Sequence, residues 1–580
     1  MAPRTTTQKA NTKAKMAAAP PAATKRSREE AEEPNKAVKR VQNASKPAAA
    51  SKNSATKSTV AKSSSTSKPA ASKKAPVKQS DAAKPAAKKQ NPKPSASKKR
   101  ARDETEESKP SKRAKAEPKK ATVKEPAAQK QAAKKPAKPK VIVNTPPTTT
   151  KHIYVMGEGS AGELGLGATK GACNVKRPRL NPILEEKGIV DLAVGGMHCI
   201  ALTKDNELVS WGVNDNKALG RPLPEWSGRD VDEDASDFDD DEGLELNPYE
   251  SAPTAIPKEY FPPGTKFTML AAGDSTSYAV TDEGNVYGWG TYRNAEGIWG
   301  FRVDEEGKMV KEQKVPVQIT NLKNITAVSC GDNHTLALDN KGVVWAWGSG
   351  QQDQLGRRIV ARHAEKNLIP APVPIPKSAK IEKIIAGPNH SFAIEKTGTV
   401  WTWGLNNFAQ TGIPYGKDKD NDMITAPTKV KALEGHKIVN IGTGANHSIA
   451  LTEDGDLLTF GRLENYALGI KFDDIVDNED LVRKNEQNKP KILLKPMKID
   501  IPAKFSFIAC GPDHNIAITT DGKAWGWGFN TNLQLGVGRD DDDVKMPEQI
   551  TSKHIADVKL DWAGCGGQFS MVGASANTSA

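Results

Sequence analysis

One phrase constrains this chain more than any other: a glycine, a histidine three residues on, and then a short apolar run. It stands as GGMHCIAL at 195–202, GDNHTLAL at 331–338, GPNHSFAI at 387–394, GANHSIAL at 444–451 and GPDHNIAI at 511–518, and with threonine for the histidine as GDSTSYAV at 273–280. A worn copy, GGQFSMV, follows at 566–572. The apolar run reads as a strand. Behind it come turn residues, as in Lys396-Thr397-Gly398, and then an alternating run rich in β-branched and aromatic residues, as in TVWTWG at 399–404. Counted at the histidine slot, the copies sit at His198, Thr276, His334, His390, His447, His514 and Phe569. The period is about 55 residues with two longer gaps, enough for four short strands and their loops. It is too long for a leucine-rich turn, and the intervening segments lack the helical periodicity that α-repeats need. The expected fold is all-β, a seven-bladed β-propeller.

The ends of the repeat region predict how the ring closes. HIYVMG at 152–157 is a strand, and EGSAGELGLG after it matches the phrases that end other repeats, WGVNDNKALG, WGSGQQDQLG and WGFNTNLQLG. The chain therefore enters with the second half of a repeat and leaves with the first half at 566–572. The two halves are expected to pair as one blade, which removes the open sheet edges. Gly157, Gly159 and Gly162 also spell G-x-G-x-x-G, but GATKGACNVKRP behind them is loop rather than helix, so a dinucleotide site is rejected.

Composition divides the chain. Residues 1–150 contain no Phe, Trp or Tyr and hold 38 Lys+Arg against 11 Asp+Glu. The rest then carries 84 − 38 = 46 basic and 70 − 11 = 59 acidic residues, so the overall +14 hides a basic tail on an acidic body. Such a tail cannot bury enough apolar surface to order itself, and is suited to phosphate backbones through counterion release. The expected organisation is a disordered tail over 1–150, the propeller over 151–573 and a short disordered end over 574–580. Two paired basic clusters in the tail read as nuclear localisation signals. One is Lys25, Arg26, Lys39 and Arg40; the other is Lys98, Lys99, Arg100 and Arg102 with Lys112, Arg113 and Lys115. Two insertions interrupt the propeller. The stretch at about 225–250 carries ten acidic residues between Asp230 and Glu245, without EF-hand spacing, and is expected to be a disordered acidic loop. The segment 471–491 reads as a plain surface loop.

The five cysteines (Cys173, Cys199, Cys330, Cys510, Cys565) are scattered with no CxxC pair, which points to a reducing compartment and away from a zinc site. There is no run of eighteen apolar residues and no secretory signal, so a soluble intracellular protein is expected, with no membrane partner. Five of nine histidines occupy the same repeat slot. A catalytic histidine needs a setting of its own, so these read as ties between a strand and the next turn. The tryptophans of the WxWG phrases, Trp345/Trp347, Trp401/Trp403 and Trp525/Trp527, read as packing between blades. No metal-ligand spacing, phosphate loop or nucleophile motif is found, and neither a metal nor a cofactor is expected. What remains is binding, and departures from the repeat are where to look for it. After Trp289-Gly290 the polar turn is replaced by TYRNAEGIWGFRVDEEGKM, whose apolar centre at about 293–303 is expected to project as a hairpin. The other departure is RRIVARHAEKN at 357–367, a basic loop on the acidic body.

These repeats, with their GxxHxxAL and WGxNxxxQLG phrases, resemble the regulator of chromosome condensation family, the chromatin-bound guanine-nucleotide exchange factors for the small GTPase Ran. The likeness covers 152–572, and the hairpin after the WG of that blade is similar to the family's β-wedge. The resemblance implies an exchange factor without covalent chemistry, acting in the nucleus on chromatin and serving nucleocytoplasmic transport, spindle and nuclear-envelope assembly and the cell cycle. It assigns wedge action to Gly297, Ile298, Trp299, Gly300 and Phe301, and GTPase contacts to His198, Asp274, Asp332, Asn333 and His447. Arg357, Arg358 and Arg362 fall where the family holds the acidic patch of the histone dimer, and the tail would add DNA contacts and engage a nuclear import receptor. A monomer is expected. The sequence departs from the family at Asp332-Asn333, where the order is transposed, at Phe569 for a histidine and at Ser160 for an aspartate. The alternative is a chromatin-tethered propeller scaffold without exchange activity, which would have no need of the apolar hairpin.

Overall fold

The computed structural model describes residues 140–169, 171–226, 246–415, 422–471, 473, 475–539 and 543–576. The localisation clusters, the core of the acidic insertion and the last four residues lie outside the described residues. Among the described residues seven antiparallel sheets of four or five strands form, and their innermost strands touch in cyclic order. Ile189–Val194 of the first blade meets both Phe267–Ala272 of the second and Trp562–Cys565 of the last, so the sheets close into the expected propeller.

The fourth blade shows how the phrase becomes structure. Ile381–Ala386, His390–Glu395, Val400–Leu405 and Met423–Lys429 pair in order from the centre outward. The two middle strands lie between neighbouring blades and are buried on both faces, which is why they read as nearly continuous apolar runs. The outermost strand has one wet face and is mostly exposed. Ring closure follows the division of the repeat between the two ends of the folded region. Lys151–Glu158 pairs with Phe569–Ser575 over seven consecutive residues, with Tyr154 opposite Val572, and Asn174–Leu180 completes the blade.

Four of the expected boundaries are corrected. Residues 140–150 pack on the propeller: the Asn144 side-chain amide donates to Thr281 O at 3.0 Å and to Ile325 O at 2.8 Å, tying the second blade to the third. At the other end the strand runs to Ser575, and Ala576 N–H donates to Thr150 O. Within the acidic insertion, Leu246 is buried and Pro248–Ser251 is a helical turn capped by Asn247. The 471–491 segment is more than a loop: Val482–Lys484 adds a fifth strand to the fifth blade, with buried Val482 opposite Leu493.

Adjacent blades are tied by a repeated buried chain. His334 Nε2 donates to Ser391 Oγ at 2.7 Å, and Ser391 Oγ donates to Gln354 O at 3.1 Å, a carbonyl that also accepts from the Trp403 indole at 2.8 Å. The same pairing joins His198 to Ser277, His390 to Ser448, His447 to Asn515 and His514 to Ser570, at 2.7–2.9 Å. The second tryptophan of each WxWG phrase is at most 1% exposed; Trp403 and Trp527 donate to a loop carbonyl in this way, and Trp347 donates to the Tyr278 hydroxyl instead. The first tryptophan lies further out; Trp401 donates to Glu395 at 2.8 Å under the ammonium of Lys429. A loop glycine lies against the Trp403 and Trp527 rings: Gly356 has φ +60°, and a Cβ there would lie 2.7 Å from the Trp403 ring.

Antiparallel order within each blade sends the GxxH turn and the loop after the third strand to the same end of the ring. The two apolar and basic departures of the sequence, at 291–312 and 357–367, are both loops of this second kind. They share one face.

Candidate functional site

The second blade's third strand, Val286–Gly290, does not return directly to the outer strand Gln313–Gln318. The chain first makes two hairpins, Tyr292–Asn294 with Gly297–Gly300 and then Arg302–Val303 with Met309–Val310. Asn294 starts the tip by accepting the Glu296 N–H at 3.0 Å, and Gly297 takes φ +108° with open space around it. Ile298 is 44% exposed and is the apolar point of the hairpin. Two apolar residues of the hairpin turn back toward the ring. Trp299 leans back, half-buried, on the core of its blade. Phe301 is 1% exposed and packs against both Tyr278 and Tyr292, with ring centroids 6.0 Å from each. Apolar rings below the tip make a firm footing; Gly300 packs close to Met309 and Leu368.

That footing occupies a gap in the inter-blade chain. The slot residue of the second blade is Thr276, too short to reach across, and its hydroxyl is buried without a partner. Tyr292 supplies the missing group: its hydroxyl lies 2.8 Å from Thr335 Oγ1 and 2.5 Å from the Tyr278 hydroxyl, which accepts from the Trp347 indole at 3.1 Å.

Beside the hairpin two carboxylates stand on adjacent turns. Asp274 Oδ2 accepts from Ser275 Oγ at 3.0 Å, and Ser275 in turn accepts from the Asn216 amide at 3.0 Å. Burial pushes the Asp274 carboxyl up, while the Ser275 hydrogen bond and the Arg293 charge hold it down. Asp332 is pushed up to about 7, by burial first and then by the charge of Asp274. The transposed Asp332-Asn333 pair divides two tasks. Asn333 Oδ1 accepts the Arg293 N–H at 2.6 Å and so holds the first strand of the hairpin, leaving Asp332 as the carboxylate at the mouth of the turn.

His198 and His447, to which the resemblance assigns GTPase contacts, do not face outward in the propeller. Each is 1% exposed and spends its Nε2 on the next blade. Burial pushes His198 down to about 4 and lowers His447, so both rings are neutral clamps near pH 7. Phe569 fills the same slot, its ring against Gly566 as His514 lies against Gly511. The residue after the slot in the following blade is then Cys199 rather than serine, and both are fully buried in one apolar cluster. Ser160 donates to Glu158 Oε1 at 2.8 Å, and Asn532 donates to the other oxygen of the same carboxylate, so the closing blade carries an acid two residues before the expected position.

In the basic loop the three arginines separate. Arg358 and Arg362 are exposed, whereas Arg357 turns inward, with Nε and Nη2 buried and unbonded and burial lowering its pKa. The helical turns of Ala361–Leu368 pack beside Arg302–Val303, which brings the loop next to the hairpin's base.

The model of the RCC1-like domain matches residues 152–572. The chain belongs to the RCC1-like family. Among similar proteins, the guanine nucleotide exchange factor SRM1 of Saccharomyces cerevisiae is 39% identical over 428 residues, covering 73% of this chain and 86% of SRM1. Protein pim1 of Schizosaccharomyces pombe is 37% identical, covering 75% of this chain and 76% of pim1. The human regulator of chromosome condensation is 27% identical, covering 76% of this chain and 94% of its own length. The crystal structure of Prp20p from Saccharomyces cerevisiae, described with its binding to Gsp1p and histones, superposes with a TM-score of 0.66 at 36% identity, covering 76% of this chain and 94% of Prp20p. A second structure, of yeast RCC1 (Prp20) with Kap60 bound to it, gives a TM-score of 0.67 at 35% identity, covering 79% and 97%. The RCC1-like propeller here differs from an undecorated ring mainly in the hairpin, the paired acids and the arginine loop.

Proposed function

We infer that this protein is a guanine-nucleotide exchange factor for a Ran-type small GTPase, acting on chromatin. The observation that carries the reading is the Ile298 hairpin: an exposed apolar point on a buried aromatic footing, beside two carboxylates on adjacent turns. Relatives over 73–76% of the chain include a named exchange factor and regulators of chromosome condensation, and a structural neighbour is described as binding Gsp1p and histones.

The hairpin pushes against the GTPase's phosphate-binding loop and displaces magnesium and GDP, and no covalent bond changes. A nucleotide held at about picomolar strength is worth roughly 16 kcal/mol, so the propeller must stabilise the empty GTPase by a comparable amount. By reciprocity, nucleotide weakens the propeller's grip by the same factor. Asp274 and Asp332 offer carboxylates to basic residues of the GTPase, and Asn333 with the buried His198 and His447 acts behind that surface. Arg358 and Arg362 suit the carboxylates of a nucleosomal acidic patch, which arginine pairs bidentately. The basic tail adds phosphate contacts, and its paired clusters address the protein to the nucleus through an import receptor.

The test is stopped-flow release of a fluorescent GDP analogue from Ran, with and without the full chain, and in parallel from an unrelated small GTPase. Acceleration confined to Ran supports exchange. Binding to chromatin with no acceleration leaves the scaffold reading instead.

A further inference from the structure

We propose that Gln351, in the third blade, is a positioning residue that clamps the tip of the hairpin. The clamp would make the wedge a rigid extension of two blades rather than a swinging loop. The inference rests on the exchange reading above and adds to it a residue outside the hairpin itself.

The hairpin grows from the second blade, yet its main-chain N–H groups at Arg293 and Ala295 donate to side chains of the third. At its base Asn333 takes the Arg293 N–H. At its tip Gln351 Oε1 accepts the Ala295 N–H at 3.0 Å, while Gln351 Nε2 donates to Glu296 Oε2 at 3.3 Å. A single amide thus meets one donor and one acceptor on consecutive tip residues. A two-stranded hairpin in water is marginal by itself, so these outside partners decide its orientation. The loop carrying Gln351 is also built differently from its counterparts. In three of these, an asparagine side-chain oxygen accepts a main-chain N–H five residues on, as Asn214 does from Leu219, Asn406 from Thr411 and Asn530 from Leu535. The matching residue here is Gly350, and Ile359 fills the place where its side chain would be. The loop gives up its internal tie, and its next residue reaches out to the hairpin.

A clamp of this kind acts on the step in which nucleotide is expelled, because a tip held at the wrong angle forfeits the alignment already built into the site. Gln351→Ala is expected to lower the maximal rate of GDP release about tenfold while leaving the concentration for half-maximal rate within about twofold, the scale of one lost hydrogen-bonded contact. Gln351→Glu keeps the acceptor for Ala295 but sets a second carboxylate against Glu296, and is expected to be as slow. Pairing it with Glu296→Gln restores a donor and an acceptor and should recover most of the rate.

The experiment measures GDP-analogue release from Ran by the full chain and these variants, alongside amide hydrogen exchange of a peptide spanning 292–300 in the free protein. The expected result is slow release with faster amide exchange in both single variants, and recovery of both in the double variant. If the parent accelerates release and Gln351→Ala matches it in rate and in amide protection, the clamp is overturned. If the parent does not accelerate release, the exchange reading fails, and amide exchange alone then decides whether Gln351 holds the hairpin.

Discussion

Replacing His334 and Ser391 separately and together tests whether the buried chain between blades acts as a unit. In the parent, His334 Nε2 donates to Ser391 Oγ at 2.7 Å, Ser391 donates to Gln354 O, and both side chains are fully buried. Ser391→Ala leaves the imidazole N–H with no acceptor in a dry interface, while Gln354 O keeps the Trp403 indole. Orphaning one such donor costs about 1–3 kcal/mol. His334→Phe removes a donor but leaves Ser391 its carbonyl, so its cost is about 1 kcal/mol. The closing junction shows that an apolar version is viable, since Phe569 fills the slot and Cys199 the facing position. The double variant His334→Phe/Ser391→Cys copies that pair and should be less destabilised than the sum of His334→Phe and Ser391→Cys by about 1–2 kcal/mol. The assay is urea unfolding followed by tryptophan fluorescence, comparing midpoints at constant slope. Additive losses would refute the claim that the two side chains form one coupled unit.

Three further outcomes are expected. Burial pushes His334 down to about 3, below its ordinary value of about 6.5, so between these values the unfolded chain holds a proton that the folded one lacks. The stability contributed by this residue is present above about pH 6.5 and is lost as pH falls toward 3, with a slope of about 1.4 kcal/mol per unit. His334→Phe should therefore gain on the parent by that slope in urea titrations between pH 6 and 4. Tyr292→Phe removes the hydroxyl that stands in for the missing slot histidine, and should destabilise by about 1–2 kcal/mol and speed amide exchange in strand His334–Asp339. Asp332, with its carboxyl near 7, gains charge as pH rises through neutrality, so Asp332→Asn should weaken GTPase binding more at pH 8 than at pH 6.5, as read by surface titration.

The ring and its closure were legible because each blade repeats the same chemistry, and because the strand at 152–157 carried a half-repeat phrase. The position of the wedge was legible as a break in that repeat. Its inner anatomy was not. Phe301 and Trp299 look as exposable as Ile298 in a string of apolar letters, and only the aromatic pocket of Tyr278 and Tyr292 draws Phe301 inward. A signal was available for the histidines. Wherever a slot holds histidine, the residue after the slot in the next copy is Ser277, Ser391, Ser448, Asn515 or Ser570, whereas Phe569 is followed by Cys199. Reading that offset across copies identifies His198 and His447 as partners of the next blade rather than of a ligand. The separation of Arg357 from Arg358 and Arg362 depends on how the loop packs on the wedge base, which no local pattern records. The fifth strand at Val482–Lys484 leaves little trace in the sequence because charged residues flank its single buried valine, although the Asn485–Lys489 turn behind it carries hairpin chemistry.

In the proposed mechanism the exposed apolar point of the hairpin, rather than the propeller surface as a whole, expels the nucleotide. The direct measurement is GDP-analogue release from Ran by the full chain and by Ile298→Ala, with formation of the nucleotide-free complex followed in parallel by gel filtration. Ile298 is exposed and outside the blade's packed core, so the variant should fold and unfold like the parent. The parent should speed release strongly, and Ile298→Ala should lose most of that acceleration and form little of the empty complex. Release by Ile298→Ala at the parent's rate would contradict that mechanism.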